Sequence, residues 1–214
     1  MTAEIFYAIL TGIPWTLMLT AAALALGVIV GAMLCAMRLW GGFVLRLLAT
    51  SLILTFRAIP PIVWLFLIFF GFGSSVLSLS SFTSAAVGLG LITGANMAEI
   101  FRGAFAAIHP GQWEAVRALN LGRWSVMVDV IGPQVVRVAL PSVATYAIGL
   151  LKDSAIASTI GVAEIAFQAY RASQRSFLGL EVYALAGLVY IALSLPIAAL
   201  SRGLDRRMRA KVAR

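Results

Sequence analysis

Long, uncharged and mostly apolar runs alternate with short polar segments along the whole chain. Residues 5–37 and 58–98 contain no Asp, Glu, Lys or Arg. A helix needs about 20 apolar residues to cross a bilayer, so the first run can hold one membrane helix and the second run can hold more than one. The hydrophobic pattern therefore predicts several membrane-spanning helices joined by short loops.

Polar and helix-breaking residues divide these runs into five predicted spans. A stretch rich in Gly and Ser, between about 71 and 81, predicts a turn within the second run. Pro110 and Gly111 end the span that follows. The predicted spans are about 12–37, 50–72, 82–107, 138–163 and 182–201. We therefore expect an all-α integral membrane protein in which residues 1–214 form a single transmembrane domain.

Composition agrees with a membrane protein and argues against several other functions. Hydrophobic residues make up 62% of the chain and the mean hydropathy is +1.00, far from the values of soluble domains. With one cysteine, Cys35, and one histidine, His109, neither an internal disulfide nor a His/Cys metal site is expected. The sequence has no Walker motif and no cluster of titratable residues such as an integral membrane enzyme needs. We expect no enzymatic activity and no cofactor on this chain.

The positive charge is concentrated at the C-terminal end. The net charge is +8, and most of it lies in a tail that follows the last apolar run: Arg202, Arg206, Arg207, Arg209, Lys211 and Arg214. Such residues flank membrane helices on the cytoplasmic side, where they meet anionic lipid headgroups. We predict a cytoplasmic C-terminus and, with five spans, an extracytoplasmic N-terminus. Arg171 and Arg175 lie in a predicted loop over about 164–180 that would be extracytoplasmic, so they do not fit this distribution of positive charge. No nucleic-acid reading motif accompanies the charge, so nucleic-acid binding is not expected.

The polar segment over residues 110–134 has a pattern of its own. Residues up to Leu119 are good helix formers, and Asn120 and Gly122 tolerate the left-handed conformation. Pro133 is typical of a position where a helix stops. The pattern predicts two short helices joined by a sharp turn, projecting from the cytoplasmic face.

This segment resembles the EAA coupling loop of binding-protein-dependent ABC importers, in which Glu-Ala-Ala comes first, Gly is seventh and Pro lies near the twentieth position. The spacing from Glu114 to Pro133 fits that pattern, whereas Val116, Asn120 and Gly132 depart from it. We refer to residues 110–134 as the EAA-like hairpin. In the family this loop docks into a cleft of a cytoplasmic ATPase. The residues to which the resemblance assigns ATPase coupling are Glu114, Ala115, Val116, Arg117, Ala118, Leu119, Asn120 and Gly122.

Three further segments resemble the polar amino acid permeases of this family. Residues 56–60 are similar to Phe-Arg-Gly-Thr-Pro, residues 98–103 to Ala-Glu-Ile-x-Arg-Gly, and residues 150–154 to Leu-Leu-Lys-Asp-Ser/Thr. The resemblance implies the permease of an ATP-driven importer for polar amino acids or related small zwitterions, in the bacterial cytoplasmic membrane. It also implies a second permease, the same chain or a homologue, two ATPase subunits that hold ATP and Mg, and an extracytoplasmic solute-binding protein.

Charged side chains inside apolar spans mark candidate positions on a substrate path, because each costs about 2.5–3.5 kcal/mol on insertion. Lys152 and Asp153 fall near the middle of the fourth predicted span and point about 100° apart on a helix. One interpretation is that Asp153 receives a substrate ammonium group, with hydrogen bonds from Ser154 or Asn96. The other is an interhelical ion pair that fixes packing. The sequence leaves both open.

Glu99 and Arg57 are the remaining path candidates. Glu99 lies three residues before Arg102 on the same helix face, where a structural ion pair is the favoured interpretation. Arg57 precedes Pro60 and Pro61, which interrupt the helix, so it either lines a site beside unwound backbone or snorkels to the cytoplasmic surface. The alternative to an ATP-driven importer is a self-sufficient channel or secondary transporter, which would not need the EAA-like hairpin.

Overall fold

The computed structural model describes residues 2–71 and 78–212, and the elements within these two ranges are helices. The first two are α1, Thr2–Leu10, and α2, Ile13–Trp40. A single turn separates them, and together they provide an apolar segment over Glu4–Trp40. The first predicted span is therefore present and extends further in both directions.

The second predicted span is a sharply bent pair of helices. α3 covers Phe43–Ala58 and α4 covers Pro61–Phe66, with a continuation to Gly71. The two parts meet at 105°. Pro60 and Pro61 lack N–H donors, and each disfavours the helical conformation in the residue before it, so the chain breaks between the two helices. The interruption predicted after Arg57 is thus present.

The boundaries of this span differ from the prediction. It begins at Phe43 instead of about 50, because Arg46 lies within α3 and only Gly41 and Gly42 separate α3 from α2. Charged residues at a helix end do not stop the helix when their side chains can reach the membrane surface. The predicted end at Phe72 and the part of the Gly/Ser turn over 72–77 lie outside the described residues.

The central helix is α5, Ser81–Ala106, and α2 packs along it. Small residues let the two backbones come close together. A Cβ atom on Gly27 would lie 2.2 Å from Cγ2 of Thr93, and one on Gly31 would lie 2.4 Å from Cβ of Met97. The spacing of these glycines, four residues apart, is typical of closely packed membrane helices. Here it serves the contact between α2 and α5.

The EAA-like hairpin has the predicted two helices, but the second does not end at Pro133. The elements are α6, Pro110–Ala118, α7, Arg123–Ser125, a π-helical turn, Val126–Ile131, and α8, Gly132–Asp153. A proline in the first turn of a helix has no N–H group that needs a partner. The π-helical turn before it provides hydrogen bonds in place of the regular α-helical ones that proline interrupts. The second helix of the hairpin therefore continues directly into α8.

This continuity also moves the fourth span. The apolar helical segment is Arg123–Ile160, of which Ser154–Ile160 is a 3₁₀ segment. The fourth predicted span, 138–163, started too late because the polar residues of the hairpin were expected to lie outside it. Lys152 and Asp153 consequently lie near the C-terminal end of the segment, where the helix changes type, and not at its middle.

After α8 the chain forms a helix that the sequence prediction missed. The segment over about 164–180 was expected to be a loop because it is too polar to cross a membrane. It contains α9, Ile165–Ser176, an amphipathic helix that lies beside the spans. Its buried residues follow the helical spacing of four and then three positions: Ile165, Ala169 and Ala172.

The last helix, α10, covers Gly179–Val212, and its part over Gly179–Ala199 is apolar enough to cross a bilayer. α1, α9 and α10 share one apolar cluster. Four continuous helical segments and the bent α3–α4 pair give up to five crossings by length and composition. The predicted fold class, an all-α membrane protein with about five spans, is confirmed.

Candidate functional site

The turn of the EAA-like hairpin is closed by a Schellman motif after α6. Asn120 adopts the left-handed conformation, with a φ of 49°. The Asn120 amide donates to the Arg117 carbonyl over 3.0 Å, and the Leu121 amide donates to the Val116 carbonyl over 3.1 Å. These two bonds satisfy carbonyls that the end of a helix leaves free. Gly122, by contrast, is extended, with a φ of −63°.

The tip of the EAA-like hairpin is open to the surroundings and carries both polar and apolar side chains. The residues assigned to coupling that are exposed are Glu114, Ala115, Arg117, Ala118, Leu119, Asn120 and Gly122. Val116 differs from them, because it is only 5% exposed. It faces the inside of the hairpin, where it lines a cavity, and it is not part of the outer surface.

Side-chain contacts join the EAA-like hairpin to α5 and α8. Nε2 of Gln134 on α8 donates to Oε1 of Gln112 on α6 over 3.0 Å. Trp113 packs against the apolar cluster that contains Ala104 of α5 and Ile131 of the π-helical turn. The hairpin is therefore both packed on α8 and continuous with it.

A second polar feature lies between α5 and α8. Nδ2 of Asn96 on α5 donates to the Ile92 carbonyl over 2.9 Å and to the Tyr146 hydroxyl on α8 over 3.3 Å. A cavity of about 370 Å³ opens beside this contact. Its lining residues are Ile100, Pro141, Ser142, Thr145 and Tyr146. We call Asn96 and this lining the α5–α8 seam.

Tyr146 is the residue of the seam that sequence reasoning missed. It lies seven residues before Asp153, so the two residues share one face of the helix. A tyrosine in the interior of an apolar helix needs a hydrogen-bond partner. The spacing from Tyr146 to Asp153 is the signal that would have found it.

Three predicted path residues lie where α8 ends. Lys152 and Asp153 are exposed, and neither forms an ion pair with another residue in the described part of the chain. The interhelical ion pair considered from the sequence is therefore absent there. Ser154 is fully buried, and its hydroxyl donates to the Leu151 carbonyl over 2.7 Å. Ser154 thus faces the packed interior instead of an open path.

Arg57 lies in the last turn of α3, directly before the bend to α4, and its side chain is exposed. Phe56 and Trp64 stack across the bend with ring centroids 4.5 Å apart. This stacking holds the two helices of the pair in their bent arrangement. The structure thereby presents the Arg57 charge beside an interrupted helix.

Glu99 belongs to an ion-pair network with two arginines. Oε2 of Glu99 accepts from Nε and Nη2 of Arg102 over 3.0 and 2.8 Å, and Oε1 pairs with Arg38 of α2. The pair between Glu99 and Arg102 that their spacing indicates is present, and Arg38 extends it across the α2–α5 contact. Glu99 does not line the cavity of the α5–α8 seam. Its two guanidinium partners give it a packing role.

Comparison with known protein sequences identifies relatives over nearly the whole chain. The family described as binding-protein-dependent transport system inner membrane component matches residues 23–210. The probable amino-acid ABC transporter permease protein YckA of Bacillus subtilis (strain 168) is 34% identical over 190 residues, which cover 89% of this chain and 84% of YckA. The glutamine transport system permease protein GlnP of Escherichia coli (strain K12) is 32% identical over 203 residues, covering 94% and 93%.

Solved structures share the same fold. A chain in the crystal structure of an amino acid ABC transporter with histidines matches with a TM-score of 0.89 and 30% identity, over 96% of each chain. A chain of the MetNI methionine ABC transporter, in an inward-facing conformation, matches with a TM-score of 0.81 at 20% identity. This match shows a shared fold only. With the family match and the two relatives, these findings show that the chain belongs to the family of binding-protein-dependent transport system inner membrane components, the permeases of ABC transporters.

Proposed function

We propose that this chain is the translocating subunit of an ATP-driven importer for polar amino acids or related small zwitterions. The observation that carries the proposal is the continuous helical segment Arg123–Ile160. It begins in the exposed EAA-like hairpin and passes the α5–α8 seam before it reaches Lys152 and Asp153. One helix therefore joins a surface suited to an ATPase with the polar groups of a path.

The exposed surface of the EAA-like hairpin supports the coupling part of the proposal. Glu114 and Arg117 lie three residues apart on α6, so both project from one face of the helix. A short helix with an exposed charged face and a buried apolar face can be recognised in a partner's groove. Hydrolysis takes place on the ATPase subunits, which hold ATP and Mg, because this chain lacks the Walker motif.

The polar groups at the α5–α8 seam support the path. A zwitterion carries an ammonium and a carboxylate, and Asp153 suits the first while Lys152 or Arg57 suits the second. Asn96 and Tyr146 add amide and hydroxyl groups that bond to either end of a polar ligand. Lys152 and Asp153 have no ionic partner within the described residues, so both charges are free to pair with a ligand or a neighbouring subunit.

The relatives support the substrate class. YckA is named as a probable amino-acid permease and GlnP as a glutamine permease, and the structure with a TM-score of 0.89 is described as an amino acid transporter with histidines. These names apply to those proteins. This chain offers neutral hydrogen-bonding groups at the seam and a lysine and an aspartate at the end of α8, which fits ligands of the same charge pattern.

The same reasoning gives the composition of the complex. We infer two permeases, this chain with a second copy or a homologue, two cytoplasmic ATPase subunits and an extracytoplasmic solute-binding protein. Large apolar side chains remain exposed on α2, α3 and α10, among them Ile29, Leu54 and Leu188, as expected for helices in contact with lipid or a second permease. The basic tail and the EAA-like hairpin then lie in the cytoplasm and the N-terminus outside it.

Uptake by the reconstituted transporter tests the proposal. The complex with its ATPase and binding protein is placed in proteoliposomes, with ATP inside and radiolabelled polar amino acids outside. Asp153→Asn removes the charge with little change in size. Because a hydrogen bond to a charged group contributes about 1.5–3 kcal/mol, we expect uptake at low substrate concentration to fall about tenfold or more. The ATPase subunit should remain bound.

Glu181→Gln is the matched control, because Glu181 is an exposed acid in the first turn of α10 and does not line the seam. Its uptake should equal that of the unchanged protein. Undiminished uptake by the Asp153→Asn complex would show that Asp153 does not contribute to the path. An active ATPase without uptake of any polar amino acid would contradict the proposed substrate class.

A further inference from the structure

A cavity of about 760 Å³ lies between the two helices of the EAA-like hairpin and the end of α2. We call it the hairpin cavity. Arg117 and Arg123 contribute two guanidinium groups to its lining, Trp40 and Trp113 contribute indole rings, and Met127 is among its apolar residues. A smaller cavity of about 330 Å³ shares both tryptophans. The hairpin cavity is thus separate from the α5–α8 seam and different in chemistry.

The two arginines of the hairpin cavity carry charge that the protein does not neutralise. In the described part of the chain, the ion pairs join Glu99 with Arg38 and Arg102, and none involves Arg117 or Arg123. No acidic residue is among those lining the cavity. A guanidinium group binds phosphate through two parallel hydrogen bonds. Two free guanidinium groups beside an apolar wall therefore fit an amphiphile with a phosphate headgroup.

The depth of the hairpin cavity matches the headgroup layer of a bilayer. α2 has 28 residues, which corresponds to about 42 Å at 1.5 Å per residue. The hydrocarbon core of a bilayer is about 30 Å thick and the whole bilayer about 40–45 Å. Because α2 is longer than that core, we expect its ends to reach the headgroup layer, where tryptophan is enriched, and Trp40 is its last residue. It packs edge-on against Phe105 of α5, with centroids 5.4 Å apart, which fixes the ring at this level.

We propose that the hairpin cavity binds an anionic phospholipid. The phosphate lies between Arg117 and Arg123, and the upper part of an acyl chain lies against the apolar residues of the wall. Arg117 belongs to α6 and Arg123 to α7, so the headgroup connects the two helices of the EAA-like hairpin. The lipid composition of the membrane thereby acts on the hairpin directly.

Native mass spectrometry tests the site on the full chain, purified in mild detergent with the subunits that accompany it. Phosphatidylglycerol and phosphatidylcholine are titrated separately. The unchanged protein should bind phosphatidylglycerol more tightly than phosphatidylcholine. From the usual contribution of one basic residue at an anionic membrane surface, R123Q should weaken phosphatidylglycerol binding about fivefold, and R117Q/R123Q roughly twenty-five-fold. Phosphatidylcholine binding should change less, because the choline cation of its headgroup offsets the phosphate charge.

Matched variants separate this site from general surface charge. R123K keeps the charge and should retain most of the binding, and R46Q removes an exposed arginine of α3 that does not line the cavity. If R123Q fails to fold, R117Q provides the measurement, because Arg117 is exposed on α6. Since Arg117 also belongs to the residues assigned to coupling, R117Q is compared with the unchanged protein only in complexes that contain the same subunits.

Three results would overturn the proposal. An equal loss of phosphatidylglycerol binding in R46Q and R123Q would show that surface charge alone attracts the lipid. Displacement of phosphatidylglycerol by an excess of inorganic phosphate would assign the site to a free anion. Unchanged binding in R117Q/R123Q would mean that the lipid binds elsewhere.

Discussion

Asn120 lies in the left-handed region of backbone conformation, where side chains other than those of Gly, Asn and Asp are disfavoured. Its conformation brings two amides, its own and that of Leu121, to the carbonyls of Arg117 and Val116. The turn of the EAA-like hairpin therefore depends on a residue at position 120 that tolerates this conformation. Sequence alone predicts this conformation, because Asn at the end of a helix is a local signal.

Replacing this residue should loosen the EAA-like hairpin. The left-handed conformation costs a non-glycine residue about 1–2 kcal/mol, and Asn120→Ala loses the tolerance that Asn has for it. We expect the hairpin turn to lose about 1 kcal/mol of stability, which would make the amides of residues 120 and 121 exchange hydrogen about fivefold faster. Asn120→Gly is the control and should keep their protection. Equal exchange in all three proteins would mean that the turn does not depend on this conformation.

Contacts between residues of one helix follow from sequence spacing, whereas contacts between helices do not. Glu99 and Arg102 pair as their spacing of three predicts. Arg38 is the third member of that network, but it comes from α2, and no spacing rule connects α2 with α5. Asn96 and Tyr146 are likewise 50 residues apart. The partners of a charged residue inside a membrane span therefore depend on packing that one sequence does not reveal.

Glu164 is a buried residue whose partners could not be predicted from the sequence either. Its side chain is fully buried, caps α9 by accepting from the Phe167 amide over 2.7 Å, and accepts from the Tyr190 hydroxyl of α10 over 2.5 Å. A buried carboxyl group requires such hydrogen bonds. Sequence reasoning placed Glu164 at the edge of a loop, because the helix that it caps was missed.

At the scale of elements, the contact between α2 and α5 determines how the centre of the molecule is packed. A Cβ atom on Gly31 would lie 2.9 Å from the carbonyl oxygen of Gly94 as well as 2.4 Å from Cβ of Met97. A backbone oxygen cannot move aside as the end of a flexible side chain can. The absence of a side chain at Gly31 is therefore required by the observed distance between the two helices.

Adding one methyl group at this contact should destabilise the protein. Gly31→Ala introduces the clash, and overpacking of this kind costs about 1–3 kcal/mol. We expect a lower midpoint of thermal unfolding in detergent. Gly187→Ala is the matched control, since Gly187 also lies in a membrane helix but has open space around its Cα. It should leave the midpoint unchanged or raise it slightly, because Ala favours a helix over Gly. Equal midpoints for Gly31→Ala and the unchanged protein would contradict the close approach.

Two elements show which parts of the fold can be predicted from the sequence. Pro60 and Pro61 predict the break in the second span, because proline acts on the backbone locally. The angle of 105° depends on what α3 and α4 pack against, and it cannot be predicted from the sequence alone. α9 was not predicted because it is a short helix with only one buried face, and such a helix has no long apolar run.

At the scale of the whole molecule, α8 connects the two candidate sites. The segment Arg123–Ile160 starts in the EAA-like hairpin and ends beyond Asp153, and α8 also contributes Tyr146 to the α5–α8 seam. Composition and apolar runs predicted the fold class with about five spans, because a membrane helix needs an apolar run long enough to cross the bilayer. They could not predict that the hairpin and the fourth span form one helix, because Pro133 normally indicates a boundary.

The central claim is that this chain is a permease that works with an ATPase through its EAA-like hairpin. Mass spectrometry of the complex that co-purifies in mild detergent with the tagged full chain from its own host tests it most directly. We predict that an ATPase subunit is recovered with the unchanged chain and lost with Glu114→Arg, because Glu114 is exposed on α6. The control Glu181→Arg, at an exposed acid of α10, should keep the ATPase. Recovery of the unchanged chain alone, under conditions that keep a known ABC importer intact, would contradict the account and favour a self-sufficient channel or secondary transporter.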